Sequence, residues 1–277
     1  MRPQTVRLGD LRVEGVSRAG IETWLRVHPP GVAFDVGRGA LHLAGARDLF
    51  VSHGHLDHAL GVPFLLSQRS LHHLAGTRVF CPREVAPDLG AYIEAAARLE
   101  RADYAYELHG LVPRDRVEVG RNLVVEAFPT DHVVPSLGYH LFRQRRRLRP
   151  DLAGEERGAL LARREGGEEI TEVVEELAVA YCGDTGPGVF TADPRIFTAR
   201  MLVIECTFVG EEQRGKGALY KHLHLEDLAA HAERFANEAL VLVHLSRRHR
   251  RGELLAEVGR LLPSLAGRVH VLMGEEA

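Results

Sequence analysis

Three histidines and an aspartate fall within six residues, His53-Gly-His-Leu-Asp-His58, directly after the apolar run Asp48–Ser52. A buried imidazole needs partners for its ring nitrogens, so three of them with an aspartate are hard to explain as ordinary core packing. From this composition the pattern arises by chance in roughly one of four hundred chains of this kind. The fold must therefore deliver a strand that ends in a tight polar turn, with its imidazoles converging on something other than hydrocarbon. Imidazole nitrogen with carboxylate oxygen suits Zn2+, with Mn2+ or Fe2+ as alternatives. Such a turn can aim His53 and His55 at one cation while Asp57 and His58 face a neighbouring one.

The rest of the chain repeats the pattern of strand, polar turn and helix. Strand-like runs occur at Thr5–Val13, Glu22–Val27, Gly31–Val36, Leu123–Phe128, Ala178–Cys182, Met201–Glu205 and Ala239–Val243. Helical patterns cover Pro87–Glu100 and Leu225–Glu238. Strands alternating with helices predict an α/β layered fold, read here as one domain over residues 1–277. Layered α/β sheets place their sites just past strand ends. Three more candidates stand there: His132 in FPTDHVVPSLGY, Asp184 in AYCGDTG and His244 in LVLVHLSRRH. Asp184, with two carboxylate oxygens, is the best placed to bridge two cations.

Composition narrows the class. A net charge of −3 does not imply a wholesale polyanion-binding surface. The charged N-terminus is no signal peptide, and no apolar run reaches the ~20 residues of a membrane span. Three irregularly spaced cysteines, Cys81, Cys182 and Cys206, argue against a secreted disulfide framework. The expectation is a cytoplasmic globular protein. One segment stands apart, residues 141–177, basic in its first half and acidic in its second. It reads either as a solvated helical insertion whose charges pair, or as an arm whose arginines grip phosphates.

HGHLDH, TDHVVPSLGY, YCGDT, IECTF and LVHLSRRH, in this order, resemble the metallo-β-lactamase superfamily. Within it the chain is similar to ribonuclease Z, the tRNA 3′-end endonuclease, in its short form of the plant and cyanobacterial type. RRRLRPDLAG and GGEEITEVV stand where that type carries a basic segment and a "GVEIT"-like stretch. The resemblance implies a four-layered αβ/βα sandwich and two Zn2+ per chain. His53, His55 and His132 would hold one ion, Asp57, His58 and His244 the other, with Asp184 between them. Asp57, Glu205 and His222 would form the catalytic set, with His224 as an alternative to His222. Asp35, in VAFDVGRG, would orient the ligands from behind. Lys221 stands where relatives usually have glycine, and the proline/lysine/arginine loop of bacterial enzymes has no counterpart between Gly15 and Pro30.

The resemblance further implies a precursor tRNA substrate, a homodimer, and hydrolysis that leaves a 3′-hydroxyl. Arg143, Arg145, Arg146, Arg147 and Arg149 on the arm, with Arg247 and Arg248 near the metals, are the candidate RNA contacts. The five arm arginines outnumber the nearby Asp151, Glu155 and Glu156, so unpaired guanidinium groups are expected there. Two readings compete with the nuclease: a hydrolase of a small phosphodiester, thioester or lactone on the same site, and a non-catalytic zinc protein that binds RNA.

Overall fold

The computed structural model describes residues 2–74 and 76–274. It holds two seven-stranded sheets, each formed by one half of the chain with strands in sequence order. The first comprises β1 (Gln4–Leu8), β2 (Leu11–Arg18), β3 (Glu22–His28), β4 (Val32–Val36), β5 (Asp48–Phe50), β6 (Thr77–Pro82) and β7 (Tyr106–Leu111). The second comprises β8 (Arg116–Gly120), β9 (Leu123–Pro129), β10 (Leu137–Leu148), β11 (Thr171–Tyr181), β12 (Met201–Glu205), β13 (Ala239–Val243) and β14 (Val269–Val271). Each half begins as an antiparallel meander and then turns parallel, at β4–β5 and at β11–β12. Parallel neighbours need crossovers, which carry most of the helices. These are α1 (Leu56–Ala59), α2 (Val62–Leu71) and α3 (Ala86–Glu100) in the first half. In the second half, α4 (Arg157–Glu165) lies between the antiparallel pair β10 and β11, followed by α5 (Val189–Ala192), α6 (Arg214–Tyr220), α7 (Leu225–Ala229) and α8 (Arg251–Leu261).

Between the sheets lies a core built from both halves, in which Phe34 stacks on Tyr139 and Tyr181 at ring-centroid distances of 5.8 and 5.4 Å. Two further cores sit outside, one under α1–α3 around Val62 and Leu65, the other under α5, α7 and α8 around Phe190 and Leu254. Helix, sheet, sheet, helix is the four-layered arrangement expected. Trp24 and the three free cysteines are buried apolar residues. No helix among the described residues is long and apolar enough to cross a membrane.

The structure corrects three expectations. Thr5–Val13 is two strands, because Gly9 takes φ +59° and the chain reverses there. The Leu225–Glu238 helix stops at Ala229; the chain then turns so that Phe235 enters the core and the Asn237 amide donates to the Ile196 and Ala199 carbonyls. The third concerns residues 141–177. They are mostly a continuation of β10 and β11 as a long antiparallel hairpin, and only Arg157–Glu165 at its tip is α-helical. The five arginines from Arg143 to Arg149 are not unpaired. Across the hairpin Arg145 meets Glu176 (3.1 Å), Arg146 meets Glu169 (3.0 Å) and Arg147 meets Glu172 (2.7 Å). Arg149 is held by Asp151 and Glu168. Arg143 is buried and grips both oxygens of Asp10 at 2.9 Å.

Candidate active site

Strand β5 ends at Phe50, and the next residues enter a turn whose backbone is tied on both sides. Ser52 donates its N–H and its hydroxyl to Asp35, each at 2.7 Å, and its carbonyl accepts the Leu137 N–H at 2.9 Å. This fixes the path into His53, His55, Asp57 and His58, with the last two on α1. The other ligand candidates follow β9 (His132), β11 (Asp184) and β13 (His244), so both sheets contribute at the same edge. Gly183 makes the second-half turn possible: it adopts φ +59°, and a Cβ there would lie 2.8 Å from that of Ser52.

Each imidazole except His55 is held at Nδ1 from outside the cluster. His53 Nδ1 meets Ser52 Oγ (3.0 Å), His58 Nδ1 meets Asp35 Oδ2 (2.7 Å) and His244 Nδ1 meets Thr207 Oγ1 (2.9 Å). His132 Nδ1 faces the Lys221 carbonyl at 3.3 Å. Anchoring one nitrogen aims the other, which is how metal-binding histidines are oriented. The inward nitrogens converge. His53, His55, His132 and Asp184 present ligand atoms within 4.8 Å of one another, as do Asp57, His58 and His244. Asp184 Oδ2 lies 3.7 Å from His53 Nε2, 3.3 Å from His58 Nε2 and 3.2 Å from His244 Nε2. The seven residues singled out in the sequence are thus brought together, with the carboxylate of Asp184 in the middle.

The electrostatics match. Burial pushes His53 well below the usual imidazole range, and it lowers His55 and His132 as well. At His58 burial acts in the same direction, but the carboxylates of Asp184 and Asp35 outweigh it and raise the group. Burial opposes the charge of Asp184, yet His244 and His58 hold its carboxyl well below the ordinary carboxylate range. The carboxylates draw positive charge into the cluster, and the neutral imidazoles beside them offer lone pairs to whatever carries it.

Beside this cluster, Glu205 at the end of β12 is fully buried. Its Oε1 accepts the Thr185 N–H at 2.8 Å and pairs with His222 Nδ1 at 2.7 Å. Its Oε2 accepts the Thr207 hydroxyl at 2.5 Å and the Leu223 N–H at 3.1 Å. Burial lowers His222, but Glu205 outweighs it and lifts the imidazole to about 9. His224 does not join this pair. It caps α7, with Nδ1 accepting the Glu226 N–H at 3.2 Å and Nε2 on the Gly210 carbonyl at 3.0 Å.

His55, Asp57, His132, Asp184, His222 and His244 open onto one cleft of about 940 Å³, whose rim includes Lys216, Arg247 and Arg248. Several groups here escape a reading of the sequence. Ser52, Tyr181 and Thr207 each anchor a ligand or its support, and Gly20 donates its N–H to Asp57 Oδ2 at 2.9 Å. Lys221 takes the left-handed conformation (φ +52°) and its ammonium meets Asp131 Oδ1 at 2.8 Å. Small hydroxyls and backbone donors leave no distinctive spacing, so only the three-dimensional contacts reveal them.

Comparison with known proteins agrees with this geometry. Residues 39–245 match the β-lactamase superfamily domain. tRNase Z TRZ1 of Arabidopsis thaliana is 31% identical over 265 residues, 94% of each chain. Chloroplastic tRNase Z TRZ2 of the same plant is 28% identical, covering 95% of this chain and 75% of its own. Among solved structures, the short form of human tRNase Z superposes with a TM-score of 0.54 at 21% identity over 90% of each chain. Zn2+-bound PqqB of Methylobacterium extorquens does so with a TM-score of 0.57 at 13% identity, covering 94% of this chain and 84% of its own. The chain belongs to the metallo-β-lactamase superfamily and, within it, to the ribonuclease Z family.

Proposed function

We propose that this protein is a metal-dependent endoribonuclease that cuts precursor tRNA at the junction with its 3′ trailer. The observation that carries the reading is the Glu205–His222 pair, a buried carboxylate and imidazole at 2.7 Å beside a convergent histidine–aspartate cluster. A resident metal fits this chain on its own terms. His53 Nε2 and His58 Nε2 are buried without a hydrogen-bond partner, and both point at the same interior space as Asp184. His53, His55 and His132 would hold one Zn2+, and Asp57, His58 and His244 a second, with Asp184 serving both. Two such ions, when bound, lower the pKa of water and offset the charge on a phosphorane-like transition state.

The protein's own groups supply the rest. Asp57 lines the cleft with an oxygen held by Gly20, placed to accept the proton of the attacking water. Cleavage of the P–O3′ bond releases an alkoxide that needs a proton. Glu205 keeps His222 in the imidazolium form and steers it through Nδ1, so Nε2 can deliver that proton. The upstream RNA then ends in a 3′-hydroxyl and the phosphate stays with the downstream piece. A homodimer is the family-based part of this proposal, which sedimentation velocity checks directly.

Incubation with a 3′-extended precursor tRNA, set against a panel of small phosphodiesters, thioesters and lactones, tests the reading. The expected result is a single cut at the trailer junction with a 3′-hydroxyl product. Turnover of the small esters alone would overturn it. His222→Ala should lower kcat by ~10²–10⁴ with metal content near that of the parent protein. Loss of metal from that variant would mean that His222 is a ligand.

A further inference from the structure

Guanidinium groups without a carboxylate partner lie beside the cleft, in contrast to the paired arginines of the hairpin arm. Among the described residues Arg247, Arg250 and Arg251 are exposed and make no ion pair. Arg247 lines the catalytic cleft and two further grooves of about 780 and 620 Å³, so all three hollows border this one side chain. Arg18 lines both grooves, brought there by a parallel bridge to Leu245, two residues ahead of Arg247. Arg250 and Arg251 open α8 and line the far groove. Among the described residues the carboxylates along this path are Asp57 at its head and Glu253, whose oxygen already accepts the Arg250 N–H at 2.9 Å.

The path has a direction. His222 stacks on His244 at 5.2 Å, His244 Nε2 lies 3.4 Å from Asp57 Oδ2, and that oxygen accepts the Gly20 N–H at 2.9 Å. Gly20 borders the cleft and the first groove. The basic path therefore leaves the site at the opposite end of this row from His222. His222 marks where the leaving O3′ of the upstream RNA must sit. The downstream nucleotide stays bonded to phosphorus through its O5′ and departs in another direction.

We propose that Arg247, Arg250 and Arg251 form a track for the phosphates of the single-stranded 3′ trailer downstream of the scissile bond. This rests on the nuclease reading above for its substrate, and for its course on Arg247, which borders both the cleft and the groove lined by Arg250 and Arg251. A charged groove that follows the backbone is the usual way to hold single-stranded RNA without reading its sequence, and guanidinium can grip each phosphate in bidentate fashion.

Precursor tRNAs with a one-nucleotide trailer and a long trailer, cut by the parent protein and by Arg250→Glu/Arg251→Glu, provide the test. The parent should gain about tenfold in kcat/KM from the longer trailer, and the variant should forfeit that gain. Its salt dependence on the long substrate should also be shallower, by roughly 0.7 in log–log slope for each phosphate no longer engaged. Equal impairment on both trailers would overturn the proposal and assign the track to the tRNA body; an unchanged gain would overturn it outright. Binding of a 5′-phosphorylated octanucleotide, followed by fluorescence anisotropy, is independent of cleavage. The variant should bind it about tenfold more weakly at an unchanged melting temperature. If the parent binds the octanucleotide through these arginines yet cuts no precursor tRNA, the processing reading fails and the track stands.

Discussion

At the scale of single residues, three positions of the site, Asp35, Lys221 and His244, take a backbone conformation that most side chains avoid. Asp35 has φ +53° and no exposure, and its carboxylate accepts from Ser52 twice, from His58, and from the Tyr181 hydroxyl at 2.5 Å. Asp35→Asn would set an amide NH2 against these donors. It should cost about 2 kcal/mol or more in unfolding and weaken metal binding about 10–100-fold, which denaturant titration and metal-competition titration measure. Lys221 is the second such position. Its left-handed backbone costs about 1 kcal/mol, while its half-exposed ion pair with Asp131 returns less than that. Lys221→Gly should therefore melt a few degrees above Lys221→Ala, which removes the pair and keeps the strain. A lower melting point for the glycine variant would refute this. Much of the donor set is legible in the sequence because HGHLDH compresses it into one turn. Asp35 enters the sequence reading through the resemblance alone: Ser52 and His58 reach it from the turn after the neighbouring strand β5, and Tyr181 from the facing sheet. Likewise His222 and His224 share a tripeptide, and only the cap on α7 separates their roles.

At the scale of elements, β4, β12 and β13 are readable almost to the residue because they are short runs buried on both faces and apolar but for Asp35 and Glu205. The hairpin β10–β11 is not. Its arginines are answered by glutamates on the returning limb, and that pairing exists only in the register Arg145↔Val174 and Arg147↔Glu172. Recognising a strand does not by itself supply a register. Residues 143–176 carry eight arginines and nine acidic residues, so the arm presents no excess positive charge. Phosphate would have to displace a carboxylate from Arg145, Arg146, Arg147 and Arg149. Arg145→Ala/Arg146→Ala/Arg147→Ala should accordingly change KM for precursor tRNA by less than about threefold, because carboxylates already occupy those guanidinium groups. A larger rise in KM, with turnover of a nitrophenyl phosphodiester unaffected, would restore the arm as the principal RNA grip.

At the scale of the whole molecule, the cluster is where the two halves of the chain meet. His53, His55, Asp57 and His58 come from the first sheet and its crossover; His132, Asp184 and His244 come from the second. The halves are otherwise joined by the aromatic core around Phe34, Tyr139 and Tyr181 and by bridges such as His53↔Ser136 and Arg18↔Leu245. An ion held by ligands from both sheets binds the native arrangement and not the unfolded chain, so it stabilises the fold as a unit. Without it, like charges and unpartnered imidazole nitrogens stay buried at the sheet–sheet edge, which is a cost to both halves at once. Chelation should therefore lower the melting temperature in a single cooperative transition, with added Zn2+ restoring it. Asp184→Asn, whose side chain keeps its size and loses its charge, should resemble the chelated protein and respond weakly to Zn2+, because both donor groups share that carboxylate. Elemental analysis should show about two equivalents of metal in the parent and a sharp fall in the variant. A melting temperature indifferent to chelation, in protein shown to contain metal beforehand, would mean that the sheets are held by their aromatic core alone.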